Sequence, residues 1–222
     1  MSDNIKYGII GAGTMGSAIA QHFIMKGQKV ILVDQSDRYI TQGLAHIEQS
    51  LTEAKERRIV SAQQYDAILA NLTTSTDKAD LANCDLIVEA VFEDLTVKKN
   101  LFAELETIVS NGCILASNTS SFLVADIAAD LKYPQRVLAV HYFYHAAKNK
   151  LVEVIPGAKT ARDITDTLMA FYNYIDKTPI LVNDVAGFAV NRFFVPWLNE
   201  AVRLLEQGHG SIINTGSIAG QR

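Results

Sequence analysis

Short apolar runs alternate with stretches in which apolar residues recur every three or four positions, and this alternation predicts a layered α/β sheet. The runs predicted as strands are Ile5–Ile10, Lys29–Val33, Leu86–Ala90, Cys113–Ala116, Arg136–His141, Leu151–Ile155 and Ile180–Val182. The periodic stretches predict helices at Thr14–Lys26, Asp37–Arg58, Ser61–Ala70, Leu95–Val109 and Ala161–Ile175. Asp37–Arg58 is polar and charged, and Ser61 stands where an N-cap would start a second helix. This helical hairpin is larger than a minimal crossover needs; it is either a solvated face or a wall of a cleft, and its charge pattern favours the face. The pattern changes after Val182. Residues 183–188 read as a loop, and Val190–Gln207 as a helix with Phe194, Leu198, Ala201 and Leu205 on one face, Pro196 early within it, and Gly208 and Gly210 beyond its end. That helix is too apolar to stand alone, so it is expected to pack on the first domain or on another chain.

The corner between the first strand and the first helix is Gly11-Ala12-Gly13-Thr14-Met15-Gly16. A Gly-x-Gly-x-x-Gly run is common by chance, but here it leaves an apolar run and opens a helix whose Met15, Ile19 and Phe23 share a face. A second run ends in Asp34, roughly 20 residues further on, as a dinucleotide-binding corner requires. Gly11 permits the tight turn, Gly13 lets backbone approach a pyrophosphate, and Gly16 lets helix and strand pack closely. The helix N-terminus supplies open N–H groups and the positive end of its dipole. Asp34 can accept from both ribose hydroxyls and disfavours a 2′-phosphate, so NAD is expected rather than NADP. Gly11, Gly13, Thr14, Met15, Gly16 and Asp34 are therefore the first candidate cofactor-binding residues. The fold class read from these features is α/β: a Rossmann-type doubly wound sheet over residues 1–185, followed by a truncated all-α segment over 186–222.

Composition narrows the function classes. A chain of 222 residues that is 49% hydrophobic and 20% charged can bury a full core. A net charge of −4 gives no reason to expect nucleic acid or an anionic membrane as a partner. Cys84 and Cys113 both lie in apolar stretches and read as reduced core residues, without metal-ligand spacing. No signal peptide and no 18-residue apolar span is visible, so a cytoplasmic protein without membrane insertion is expected.

Chemistry at a nicotinamide needs a group that moves a proton, and imidazole titrates near neutrality. Of five histidines, His22 and His46 fall in helices expected at the surface, and His209 lies in a glycine-flanked loop. His141 ends a strand, and open α/β sheets bind ligands at the carboxyl ends of their strands. Taken alone, a strand-end His is more often structural. Residues 117–121, Ser-Asn-Thr-Ser-Ser, also leave a strand end, as a polar lining or as a helix-capping turn. Glu153 interrupts the apolar run Leu151–Ile155; either an imidazole partners it inside, or it faces water from an edge strand.

With these motifs in hand, the chain resembles the L-3-hydroxyacyl-CoA dehydrogenase family of fatty-acid β-oxidation. The likeness rests on Gly11–Gly16, on Val88-Glu89-Ala90-Val91-Phe92-Glu93-Asp94 with Lys98, and on Ser117–Ser121. It continues through His141-Tyr142-Phe143, Lys150–Ile155 and Gly187-Phe188-Ala189-Val190-Asn191-Arg192, and runs from about Lys6 to Gly208. The resemblance implies NAD-dependent, reversible oxidation of an L-3-hydroxyacyl-CoA thioester to the 3-oxoacyl-CoA. In that reading His141 is the general base, Glu153 orients it, Ser120 lies near the substrate oxygen and Asn191 contacts the reacting group. Asp34 is the ribose acid, and Glu93, Lys98 and Asn118 surround the nicotinamide half. Glu93 and Lys98 would otherwise be a helix-terminal charge and a solvated lysine. The resemblance also implies a homodimer and no metal.

Two departures accompany the likeness. The family's His-Phe-Phe-Asn-Pro is here His141-Tyr142-Phe143-Tyr144-His145, with Ala146 next. A phenol cannot mimic an amide, so an altered substrate preference or rate is expected, with room for an acyl group other than a plain fatty chain. The family continues into a helical domain of which this sequence carries the first helix. Residues 211–222 instead look like the active-site strand of short-chain dehydrogenases, with Ser217 at their serine. The Tyr-x-x-x-Lys such an enzyme needs is absent and the glycine spacing differs, so the tail is given no catalytic role. The alternative to an active dehydrogenase is a catalytically incomplete NAD-binding fragment, or a subunit that needs a partner chain.

Overall fold

A computed structural model describes residues 5–207. The tail with Ser217, and with it His209, Gly208 and Gly210, lies outside the described residues. The strands are β1 (Lys6–Ile10), β2 (Lys29–Val33), β3 (Leu72–Ser75), β4 (Leu86–Glu89), β5 (Ile114–Ser117), β6 (Val137–Tyr142), β7 (Leu151–Pro156) and β8 (Thr178–Leu181). They form one sheet in the order β3-β2-β1-β4-β5-β6-β7-β8. Strands β1 to β6 are parallel to their neighbours; β7 runs antiparallel to β6, and β8 parallel to β7. The fold is the expected Rossmann-type α/β sheet, extended by a reversed pair.

The helices are α1 (Thr14–Met25), α2 (Asp37–Glu56), α3 (Ala62–Leu69), α4 (Leu95–Ile108), α5 (Val124–Ile127), α6 (Arg162–Tyr174) and α7 (Val190–Glu206). Two apolar cores lie on opposite faces of the sheet. One gathers Ile19 and Phe23 of α1, Ile47 and Leu51 of α2 and Phe171 of α6; the other gathers Leu101 and Phe102 of α4 with Val124 and Ile127 of α5. Successive strand residues alternate between them, as Ile9 and Ile10 do, which is why the strands read as unbroken apolar runs.

Several expectations change. β3 was not anticipated: Leu-Thr-Thr-Ser is a half-exposed edge strand with no apolar run. β8 begins at Thr178 and includes Pro179, which an edge strand tolerates because one side of its backbone needs no partner. The short α5 was also missed. Ser61 does cap α3, in a reciprocal capping box with Gln64. Cys84 and Cys113 are free and buried. His22 is not on the surface: α1 is covered on nearly all sides, and its Nε2 lies 2.9 Å from the Ile175 carbonyl oxygen. Helix α7 contains no buried residue, and Phe193, Phe194, Trp197 and Leu205 are exposed; packing on the first domain is not observed along its length. Among the described residues no helix is long and apolar enough to cross a membrane.

Candidate active site

The sheet order reverses between β1 and β4, since β2 follows β1 on one side and β4 on the other. Such a switch point opens a crevice at the carboxyl ends of the strands. Gly11 turns there with φ +100°, and a Cβ on it would stand 2.5 Å from the Ala90 carbonyl oxygen. A Cβ on Gly16 would overlap the carbonyl oxygen of Gly11. Gly13 has nothing within 4 Å of a Cβ position, so the space above it is open. No side chain caps α1, whose N-cap is Gly13, and the first-turn N–H groups of Thr14 and Met15 remain available to an anion. Asp34 ends β2 and is held by the N–H groups of Ala12 and Gln35, each 2.7 Å away, with lone pairs to spare. Gly11, Gly13 and Asp34 line a cleft of about 830 Å³ that also meets Gln35, Tyr39, Lys78, Val97 and Glu104. An open glycine, an uncapped helix terminus and a fixed carboxylate together fit a dinucleotide.

One strand further, the end of β4 carries a buried ion cluster. Lys98 of α4 reaches back to Glu89 Oε1 at 2.6 Å and Glu93 Oε2 at 3.1 Å. Glu89 also accepts from Ser117 Oγ at 2.6 Å and from the Val91 N–H at 2.8 Å. Glu93 accepts from Thr119 Oγ1, Ser121 Oγ and the Ser120 N–H at 2.6, 2.7 and 3.0 Å. Burial pushes the Glu93 carboxyl up, but the Thr119 and Ser121 hydroxyls, the Lys98 ammonium and the Ser120 N–H outweigh it and hold it below the ordinary carboxylate range. The polar turn 117–121 is thus folded around Glu93 and leaves Ser120 exposed.

At the end of β6, His141 stands opposite Glu153 in the antiparallel register. Its Nδ1 is 2.6 Å from Glu153 Oε2. Glu153 is fully buried, because β7 lies between β6 and β8 and not at an edge. Its other oxygen accepts the Ala189 and Val190 N–H groups, each at 2.9 Å. These open α7, so the helix dipole also favours the buried charge. Phe143 and Phe188 flank the imidazole at ring separations of 4.6 and 5.7 Å. Nε2 has no hydrogen-bond partner among the described residues.

Asn118 joins the two strand ends, its Oδ1 accepting the Tyr142 N–H at 3.0 Å. Asn191 Nδ2 donates to the Ser120 carbonyl at 3.4 Å. The structure therefore pairs His141 with Glu153 and Asn191 with Ser120, with no hydrogen bond between the two pairs among the described residues. Tyr144 is exposed. No cluster of His, Cys, Asp or Glu with metal-binding geometry occurs among the described residues.

The family profile described as "3-hydroxyacyl-CoA dehydrogenase, NAD binding domain" matches residues 6–185. The chain belongs to this family. Its cofactor is NAD, and the fold is that of an oxidoreductase of fatty-acid β-oxidation chemistry. FadB2 of M. tuberculosis is 35% identical with a TM-score of 0.91, over 96% of this chain and 76% of that one. The 3-hydroxybutyryl-CoA dehydrogenase of Escherichia coli K12 is 36% identical with a TM-score of 0.89, over 93% of this chain but only 44% of that one. The (S)-3-hydroxybutyryl-CoA dehydrogenase PaaH1 of Ralstonia eutropha is 33% identical with a TM-score of 0.90, over 93% and 73%.

Among the residues of the site to which the sequence assigns no role are Glu89 and Phe188. Glu89 sits in a quoted motif, and a carboxylate ending an apolar strand nine residues before a lysine was the available signal. Phe188 adopts φ +49° while almost fully buried, a conformation a bulky residue rarely holds. The only sequence cue was the glycine before it.

Proposed function

We propose that this chain oxidises an L-3-hydroxyacyl-CoA thioester to the 3-oxoacyl-CoA, reversibly, with His141 as general base and Glu153 as its positioning carboxylate. The observation that carries this reading is the 2.6 Å contact between His141 Nδ1 and a fully buried Glu153. An ionised carboxylate only accepts, so Nδ1 carries the proton and Nε2 offers a lone pair. Nε2 takes the proton of the 3-hydroxyl, and in reduction it returns that proton to the 3-oxo oxygen. NAD, when bound, would supply the acceptor for the hydride that leaves C3. Ser120 and the amide of Asn191 hold the substrate oxygen, and the phenylalanines beside His141 keep water from the ring. Gly11, Gly13, Thr14, Met15, Gly16 and Asp34 bind the pyrophosphate and adenosine half; Glu93, Lys98 and Asn118 border the nicotinamide half. Tyr144, exposed just beyond His141, bears on which acyl group is accepted.

The test is NADH oxidation with acetoacetyl-CoA and longer 3-oxoacyl-CoA thioesters. Replacing His141 by Ala is expected to lower turnover by roughly 10³-fold with NADH binding kept; turnover equal to the wild type would overturn the assignment. A second reading is favoured by the exposed apolar face of α7: a subunit whose catalytic cleft is completed by another chain. In the first reading that face meets a second copy in a homodimer. Sedimentation of the chain, followed by assay of each species, separates them: an active dimer supports the first, and an inactive species that binds NADH supports the second.

A further inference from the structure

The Glu89–Lys98–Glu93 cluster is more elaborate than holding a turn requires. It places two carboxylates and one ammonium within 3.1 Å contacts, and two of the three side chains are almost entirely out of water. Its formal charge is −1, from two glutamates and one lysine. Its place in the sheet is equally specific. Asp34 at the end of β2 anchors one half of a dinucleotide, and the glycine turn after β1 takes the pyrophosphate. His141 stands at the end of β6, on the far side of that turn. A cofactor that reaches from Asp34 to His141 crosses the ends of β4 and β5, and those ends carry Glu89, Ser117 and the turn that Glu93 organises.

We infer that the net negative Glu89–Lys98–Glu93 cluster biases the site toward the oxidised cofactor, with Glu89 as the buried positioning residue that fixes the charge. The inference rests on the dehydrogenase reading above, because it takes the nicotinamide to lie between the glycine turn and His141. The oxidised ring is cationic and the reduced ring is neutral, so a fixed negative charge strengthens binding of the first and leaves the second nearly untouched. Because Glu89 and Lys98 are almost entirely buried, salt screens their part of that difference little. Lys98 holds the two carboxylates together; without it they would repel, and one would take up a proton.

The experiment is a pair of dissociation constants for each variant, measured by NADH fluorescence titration and by NAD⁺ competition against it. Both Glu89→Gln and Glu93→Gln are expected to weaken NAD⁺ relative to NADH by roughly five- to tenfold. Glu93 is partly exposed, so its variant reports even where the buried one fails to fold. A purely structural cluster would weaken both cofactors together, so an unchanged ratio in the folded glutamate variants overturns the inference. Wild-type turnover with 3-oxoacyl-CoA is scored separately: a ratio shift without turnover retains the charge bias and discards the dehydrogenase reading, whereas turnover without a shift does the reverse.

Discussion

His22 and His141 are buried to the same degree, at 5% and 6% exposure, and their surroundings give them opposite chemistry. His22 lies under the turn that follows α6 and meets a neutral carbonyl, that of Ile175. Burial first, and then the Lys177 ammonium, push its pKa down to about 3. His141 meets a carboxylate that is itself held by two backbone N–H groups, and its second nitrogen is left open. Burial alone therefore does not mark a catalytic imidazole. The charge of its partner, and what fixes that partner, does.

The largest effect expected from breaking this contrast is at Glu153. Glu153→Gln keeps the shape but removes the charge, and the amide must choose between accepting from His141 and satisfying the α7 N–H groups. Turnover is expected to fall by roughly 10²-fold or more, while the NADH dissociation constant stays within about twofold because the crevice at Gly11 is untouched. Stopped-flow turnover and fluorescence titration of the same preparation read both quantities. A comparable drop in NADH affinity would mean that Glu153 supports the fold at large and not the imidazole.

Next in size is the acid sensitivity of the His22 region. Above its ordinary value of 6.5, folded and unfolded chains both carry a neutral ring. As pH falls from there toward about 3, the unfolded chain takes up a proton that the folded chain refuses, so stability falls across that window. The shift corresponds to a loss on the order of 3–5 kcal/mol. His22→Gln can still donate to the Ile175 carbonyl and does not titrate. Its urea-unfolding free energy is expected to fall less than the wild type's between pH 6.5 and 4; parallel curves would show that other groups carry the acid loss.

The two histidines also show where sequence is informative and where it is not. The crevice was legible because local rules fix it: a turn needing Gly11, a helix needing Gly16, and a strand ending in Asp34. The pairing of His141 with Glu153 spans a β6–β7 register that no local pattern specifies, and only the family likeness joined them. His22 was misjudged because a helix apolar all round gives no sign of which polar residue is covered, and the turn after α6 supplies that cover from 153 positions away. β3 and β8 were missed or misplaced as edge strands with one bare side, where neither an apolar run nor clean alternation is demanded. Glu89 escaped because a carboxylate at a strand end looks solvated until Lys98 folds over it.

The smallest effect concerns Lys177, which packs against the same region. Its ammonium donates to the Ala146 carbonyl and, at 2.7 Å, to that of Asn149, and it lies 5.6 Å from the Tyr142 ring. Burial first, and then Lys26, lower its pKa from 10.5 to about 8. Below about 8 both states carry the proton and the folded chain bears the full penalty; above it the folded chain releases the proton first, so stability rises with pH. Burial raises Cys84 to about 11 and Cys113 to about 12, and these thiols oppose the rise once the unfolded chain ionises above their ordinary 9.0. The gain is therefore confined to a window just below pH 9, at about 1 kcal/mol between roughly pH 7.5 and 9. Lys177→Met should lack it in paired denaturation curves, and a persisting rise would assign it elsewhere. The same variant removes one cause of the depressed His22, so its acid loss should also be smaller than the wild type's.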